Sequence, residues 1–197
     1  MNYVFFHPFA DSRDFLSDET INGCMDFKTY IEQKAKRTDG KAKTYLNRAH
    51  NPETGGVLAE FGSNLRLYVC GHGDKDESQL VGQTSHNQEL AHAVGSSGIY
   101  YDSGKFRSST DVITYRYVLL PGALIDVLKW EKLNQEIEEI CLWACRSLKS
   151  KFATVFASFC KDDFPRATIK AYEGDISFGI GLNAGRKLGE PKQVTAA

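Results

Sequence analysis

The sequence predicts an α/β fold with a mostly parallel central sheet and helices on both faces. Three observations support this prediction. Apolar runs at residues 65–70 and 137–143 suit buried parallel strands, and each is followed closely by a reactive side chain, His72 and Cys145. A further apolar run at residues 167–172 follows a segment with helical spacing. Strands that alternate with helices are typical of right-handed βαβ units, which build a parallel sheet.

The other elements are assigned from apolar spacing and turn residues. Helices are predicted at residues 18–37, 87–95, 122–134 and 149–160. Further strands are predicted at residues 3–9, 57–61 and 112–120, the last as an antiparallel addition outside the main sheet. Residues 38–56 are expected to form mainly loop or hairpin, residues 74–83 a loop, and the last ten residues a frayed tail.

Length and composition indicate one domain that spans residues 1–197. Its core is expected at about residues 60–180, with residues 1–59 adding a strand, a helix and a loop. The 24 basic residues nearly balance the 25 acidic ones, so no global basic field points to nucleic acid. No apolar stretch reaches the ~18 residues that a membrane span needs.

The cysteines and the N-terminus bear on the compartment. Five cysteines without regular spacing do not suggest a disulfide framework, which favours a reducing compartment. The first residues lack a charged region followed by a long apolar one, so a signal peptide is not expected. The cytoplasm of the producing cell and the cytosol of a host both fit.

His72 and Cys145 are the candidate catalytic residues. Both follow predicted parallel strands, and open α/β folds place their sites at the carboxyl edge of the sheet. A nearby imidazole can activate a thiol as nucleophile and later protonate the leaving amine. Either residue alone is more typical of a core thiol or a turn histidine. Their occurrence together, each after an apolar strand, favours a catalytic dyad.

This arrangement resembles the caspase-like clan of cysteine peptidases, which includes caspases, legumains, clostripain, gingipains, separase and toxin autoprocessing domains. The resemblance rests on Gly71-His72-Gly73, on Ala144-Cys145 and on the order of strands and helices. It implies a three-layer fold and an oxyanion hole formed by the amides of Gly73 and Cys145. It also implies a protein or peptide substrate. His86 and His92 with Cys70 do not form a recognisable zinc spacing, so no metal or other cofactor is expected.

The resemblance leaves the substrate class open. Caspases have Gln where this chain has Trp143, and clostripain-like members have an acidic residue where it has Ala144. In the related fold, the segment after the next strand lines the pocket for the substrate residue before the cleaved bond, P1. Glu173 and Asp175 lie in that segment, where they would receive a basic P1 side chain or remain solvated loop acids.

Three functions remain open. The first is an endopeptidase, including a bacterial effector or toxin-type processing protease. Toxin domains of this clan are activated by inositol hexakisphosphate, which would need basic residues such as those scattered from Lys149 to Lys192. The second is a catalytically silent binding module. The third is a thiol-dependent acyl hydrolase or transferase that acts on small molecules.

Overall fold

A computed structural model describes residues 1–8, 40–47, 55–73, 80–84, 99–102, 115–144, 146–174 and 191–196, together with the helical positions Glu32 and Lys36. The strands, in chain order, are β1 (Asn2–His7), β2 (Ala42–Asn47), β3 (Leu65–Cys70), β4 (His72–Gly73), β5 (Leu80–Thr84), β6 (Ile99–Asp102), β7 (Tyr115–Leu119), β8 (Glu139–Trp143), β9 (Thr168–Ala171) and β10 (Lys192–Gln193). The helices are α1 (Pro121–Trp130) and α2 (Lys151–Asp163), and 3-10 turns occupy Ala59–Phe61 and Ser147–Lys149.

The main sheet has six strands in the order β10-β9-β8-β3-β1-β2. Five of them are mutually parallel, and the short β10 pairs antiparallel with β9 at one edge. The chain runs outward from β1 to β2, then returns to β3 on the other side of β1 and continues through β8 to β9. The strand order therefore reverses between β1 and β3, where open α/β sheets bind their ligands.

Side chains of successive strand residues point to opposite faces of a sheet. All five residues of β8 are buried, so both faces of the main sheet are covered there. One face joins α1 and α2 in a single apolar core through residues such as Val4, Leu67 and Leu142. The opposite face holds Phe5 and Tyr68, which are buried as well. Burial on both faces explains why β3 and β8 are nearly continuous apolar runs.

The four remaining strands form a second, antiparallel sheet in the order β4-β5-β7-β6. The chain enters it directly from the end of β3, since Gly71 separates β3 from β4. It leaves through β7, and α1 begins at Pro121 after Leu120. Proline fits the first turn of a helix, because its missing N–H would have no partner within the helix there. The second sheet is thus inserted between β3 and α1.

A loop from the N-terminal part of the chain closes the end of α1. The Gly56 N–H donates to the Trp130 carbonyl at 3.2 Å, and the Leu58 N–H donates to the Glu131 carbonyl at 3.0 Å. Gly55 has a φ of 60°, and a Cβ there would lie 2.5 Å from the Trp130 carbonyl oxygen. This close approach therefore requires glycine.

Several predictions are confirmed. Strand β3 occupies the predicted residues, and β8, β9 and α2 begin and end within a few residues of the expected positions. Strand β7 lies outside the main sheet and is antiparallel, as its aromatic and β-branched content indicates. The central sheet is mostly parallel. The predicted helices at residues 18–37 and 87–95 lie outside the described residues, apart from Glu32 and Lys36.

Other predictions are wrong. Residues 42–47 form the parallel strand β2 rather than loop or hairpin, and Leu80 to Thr84 form β5 rather than the end of a loop. The expected strand at residues 57–61 is a turn followed by a 3-10 turn. The tail is not frayed at β10, where the Val194 N–H donates to the Ile169 carbonyl at 2.9 Å. The prediction of helices on both faces is not among these errors and stays a prediction: α1 and α2, the two long helices of the described residues, share one face of the sheet.

Candidate active site at the carboxyl edge of the main sheet

The chain leaves β3 and β8 side by side at the carboxyl edge of the main sheet. Cys70 and Trp143 are the last residues paired between these two parallel strands. Beyond them, the Gly71 N–H donates to the Trp143 carbonyl at 3.2 Å, which extends the contact by one residue. His72 and Cys145 each follow two positions after the last paired residue of their strand. The topology thus brings the two predicted catalytic positions to neighbouring strand ends.

Two glycines and one leucine fix the backbone at His72. A Cβ on Gly71 would lie 2.5 Å from Cγ of Leu80, so Leu80 packs directly on the Gly71 backbone. Leu80 is also the register partner of Gly73, while His72 pairs with Val81. Leu80 is 2% exposed and belongs to the apolar core. The His72 backbone therefore lies between the main sheet and a core residue of the second sheet; its side chain lies outside the described set.

The chain turns sharply after β8. Ala144 is buried, and its carbonyl accepts a hydrogen bond from the Ser147 N–H at 3.3 Å. Arg146 has a φ of 52°, a left-handed conformation that few non-glycine residues adopt. Such conformations cluster at functional sites, where the surrounding structure enforces them. Cys145 itself lies between these residues and outside the described set.

Three hydrogen bonds join the turn after β8 to the turn after β9. The Arg146 N–H donates to the Gly174 carbonyl at 2.9 Å, and the Leu148 N–H donates to the Tyr172 carbonyl at 2.8 Å. The Tyr172 N–H in turn donates to the Ser147 hydroxyl at 3.2 Å. The segment predicted to line the P1 pocket is therefore bound to the turn that carries Cys145.

Trp143 belongs to an aromatic cluster beneath this edge. Its ring meets Phe5, Tyr68 and Tyr172 edge-on, with ring centroids 5.9, 6.1 and 5.1 Å apart. Edge-to-face contacts at these distances are favourable. Trp143 is 4% exposed, so it is a core residue of the strand rather than a surface for substrate.

Glu173, one of the two predicted pocket acids, is half-exposed and already engaged by two lysines. Its carboxylate lies 2.5 Å from Nζ of Lys192 and 3.5 Å from Nζ of Lys149. The hydrogen bond from Lys192, with the charges of both lysines, lowers the pKa of Glu173 below its ordinary value. A basic substrate side chain would therefore have to replace these lysines. Asp175, the second predicted acid, lies outside the described residues.

The three cysteines that the structure describes are buried and poorly suited to catalysis. Cys70, Cys141 and Cys160 are buried thiols in the protein interior, which suits strand and helix packing residues. Burial strongly raises the pKa of Cys141, and it raises the pKa of Cys160 to about 12. A thiol must lose its proton to act as nucleophile, so the raised pKa values of Cys141 and Cys160 disfavour their reaction near neutral pH.

Leu80 and Ser147 hold the backbone at the two strand exits, but the sequence pattern predicts this role for neither residue. Leu80 begins an apolar pair, Leu80-Val81, next to a polar segment, and this pair is a signal that a strand rather than a loop begins there. Ser147 gives no comparable signal, because a serine just before a helix is usually read as a cap. Its contact with Tyr172 spans 25 residues of sequence and exists only in the folded chain.

The charged cluster within the main sheet lies toward the opposite, amino-terminal end of its strands. Glu139 forms ion pairs with Arg66 and with Lys170, whose Nζ lies 2.7 Å from Oε2 of Glu139. Although burial disfavours its charge, contacts with Tyr68 and Glu139 raise the pKa of Arg66. This group neutralises charges at the sheet rather than contributing to the candidate active site.

An open cavity of about 400 Å³ lies between α2 and the C-terminal segment, away from the two strand exits. It is lined by Ala157, Lys161, Ala167, Ile169, Gln193, Val194, Thr195 and Ala196.

Within the described residues, no three His, Cys, Asp or Glu side chains are grouped to hold a metal ion. None of the described helices is both long enough and apolar enough to cross a membrane.

Comparison of the chain with protein-family models, with curated proteins and with solved structures finds no match.

Proposed function

We propose that this protein is a cysteine peptidase of the caspase-like type, in which His72 and Cys145 form the catalytic dyad. The observation that carries the proposal is the equivalent position of these residues after adjacent parallel strands. Both follow the strand by two positions, at the carboxyl edge and next to the reversal of strand order. Enzymes with open α/β sheets hold their reacting groups at this place.

The order of elements gives further support. The resemblance that the sequence suggests requires a strand before the histidine, a helix, a strand before the cysteine, another helix and a final strand. Strands β3, β8 and β9, with α1 and α2 between them, follow this order and are neighbours in the sheet. The second sheet is an insertion between the histidine strand and α1.

The proposed reaction has two steps. The Cys145 thiolate attacks the carbonyl carbon of the peptide bond, and the resulting oxyanion accepts hydrogen bonds from the amides of Gly73 and Cys145. The C–N bond then breaks as the His72 imidazolium gives its proton to the leaving amine, which leaves a thioester on Cys145. His72 next takes a proton from water as the water oxygen attacks the thioester carbonyl carbon; the C–S bond breaks, the acid product leaves, and the Cys145 thiolate beside the His72 imidazolium is restored. Oxyanion donors of this kind lower a barrier by about 3–4 kcal/mol.

The proposed pocket is the segment after β9. Glu173 and Asp175 would bind an Arg or Lys at P1, because a carboxylate forms strong charge-assisted hydrogen bonds with such groups. Glu173 is held beside the turn of Cys145 by the contacts that the Tyr172–Gly174 backbone makes there. Replacing Glu173 and Asp175 with Gln and Asn should reduce cleavage after basic residues far more than cleavage after apolar ones.

Covalent labelling with a peptidyl acyloxymethyl ketone tests the dyad. Mass spectrometry of the wild-type protein should find the label on Cys145, and Cys145→Ala should remove both label and peptide cleavage. His72→Ala should slow turnover by ~100-fold or more, the scale of losing a general base. Cys160→Ala is the matched control, because this buried thiol has its pKa raised to about 12 and should not react.

The same experiment separates the other candidate functions. Peptide cleavage that survives Cys145→Ala would refute the proposal. Alkylation of Cys145 by iodoacetamide without labelling by any peptidyl ketone would favour acyl transfer or hydrolysis of small molecules. An unreactive Cys145, unchanged by His72→Ala, would indicate a binding module.

A further inference from the structure

Ser147 is a buried polar residue with an unusual pair of partners. Its hydroxyl donates to the Leu142 carbonyl at 3.2 Å and accepts from the Tyr172 N–H at 3.2 Å. Leu142 belongs to β8, and Tyr172 directly follows β9. One side chain therefore bridges the two strands that flank this part of the site.

The neighbours of Ser147 reach the same segment through their backbone. Arg146 donates to the Gly174 carbonyl and Leu148 to the Tyr172 carbonyl. Three consecutive residues, beginning directly after Cys145, are thus bound to the turn after β9. Of these three bonds, only the one made by Ser147 uses a side chain, so only this bond can be removed by a simple substitution.

We infer that Ser147 is a positioning residue, which holds the turn of Cys145 at a fixed distance from the segment proposed to line the P1 pocket. This inference rests on the proposed function, because it assigns a role relative to the Cys145 nucleophile. When the Ser147 hydroxyl is removed, the Leu142 carbonyl and the Tyr172 N–H both lose this hydrogen-bond partner. The turn after β8 then relaxes as these groups find other partners. A displacement of about 1 Å at a reacting group costs ~100-fold in rate.

Ser150 offers a matched control in the same loop. It is also a buried serine. Its hydroxyl donates to the Ser147 carbonyl at 2.8 Å and accepts from the Ala153 N–H at 3.0 Å. Those partners belong to the cap of α2, and neither lies on the β9 segment. Ser150→Ala therefore weakens the loop locally and leaves the bridge to Tyr172 in place.

The experiment measures the rate of Cys145 alkylation by iodoacetamide between pH 5 and 9, together with kcat/KM on a cleaved peptide. Ser147→Ala should lower kcat/KM by ~10- to 100-fold. It should also change the pH dependence of the Cys145 alkylation rate toward the pH dependence measured in His72→Ala. Ser150→Ala should change both by about threefold or less at a similar loss of stability. Ser147→Thr and Ser147→Val differ only in the hydroxyl, and Thr should retain far more activity than Val.

The outcomes distinguish this inference from the proposed function. The positioning role would be overturned if Ser147→Ala had the same pH profile of Cys145 alkylation as the wild type, or if Ser147→Thr and Ser147→Val had equal kcat/KM. Either result would leave the proposed dyad intact. An equal effect of Ser150→Ala would also overturn it, because general loosening of the loop would then explain the loss. If the pH profile of Cys145 alkylation is the same in the wild type and in His72→Ala, both the positioning role and the proposed dyad are overturned.

Discussion

The chain leaves β3 and β8 at the same edge, yet the two exits are held by different forces. After β3, Gly71 is packed against Leu80, an apolar residue of the second sheet. After β8, the turn is held by hydrogen bonds to the backbone around Tyr172. Besides the backbone hydrogen bond from Gly71 to Trp143, the exit after β3 relies on close apolar packing, whereas the exit after β8 relies on directional polar contacts.

The difference indicates how each side of the site tolerates change. Close packing at Gly71 leaves no room for a Cβ, so its failure should appear first as lost stability. Hydrogen bonds fix direction more than they contribute net free energy, since each is worth only about 1 kcal/mol. Damage after β8 should therefore appear first as lost geometry at Cys145.

The largest effect on stability is expected for Leu80→Ala. Leu80 is 2% exposed within the apolar core, and removal of a buried leucine side chain costs about 2–5 kcal/mol through lost burial and the cavity left behind. Urea unfolding should show this loss in the free energy of unfolding. A loss near zero would mean that β5 does not support the exit after β3.

Gly71→Ala should have the next largest effect. The added Cβ would lie 2.5 Å from Cγ of Leu80, and such overpacking typically costs about 1–3 kcal/mol. Combined with Leu80→Ala, the cost should fall well below the sum of the two single changes, because the clashing atoms are gone. Gly122→Ala is the control, since its Cβ would make an ordinary contact of 3.6 Å with Phe159. Strict additivity in the double mutant would contradict this account.

Ser150→Ala should cost less, about 1 kcal/mol, the usual scale for a helix cap. Its hydroxyl accepts the Ala153 N–H at the start of α2, which would otherwise lack a partner within the helix. Urea unfolding of this variant provides the measurement. A loss as large as that of Leu80→Ala would contradict the assignment of Ser150 to a helix cap.

The smallest effect is expected for Glu173→Gln. Its ion pairs with Lys149 and Lys192 are exposed, and such pairs contribute little and are screened by salt. Because these lysines lower its pKa in the folded state, Glu173 contributes stability above its ordinary pKa of 4.5, and that contribution is lost as pH falls through the lowered value. Melting temperatures of wild type and variant should converge at low pH and at high salt. A difference that persists in 1 M salt would point to a partner less accessible to solvent.

The sequence was informative where local pattern and final environment agree. The apolar runs of β3 and β8 are typical of strands covered on both faces, so their ends, and the positions of His72 and Cys145 after them, could be predicted from the chain alone. The aromatic run of β7 likewise indicated a strand outside the main sheet. The second pocket acid and the Cys145 side chain remain predictions, since both lie outside the described residues.

The sequence misled where pairing partners decide the structure. Residues 42–47 carry Lys, Thr and Asn, a composition that does not identify a strand, and they extend because β1 offers an edge with which to pair. The two residues of β10 form a strand only against β9. Helix α1 ends at Trp130 rather than at residue 134, since Lys132 adopts a left-handed conformation and Gly56 and Leu58 donate to the carbonyls of Trp130 and Glu131.

The sequence alone thus determined which residues follow the ends of the two buried strands, because the apolar composition of a strand is a local property of the chain. The tertiary structure decided what holds those exits in place. The contacts of Leu80 with Gly71 and of Ser147 with Tyr172 join elements that are separated in sequence or lie in different sheets. Such contacts depend on strand order and register, which arise only when the whole sheet assembles.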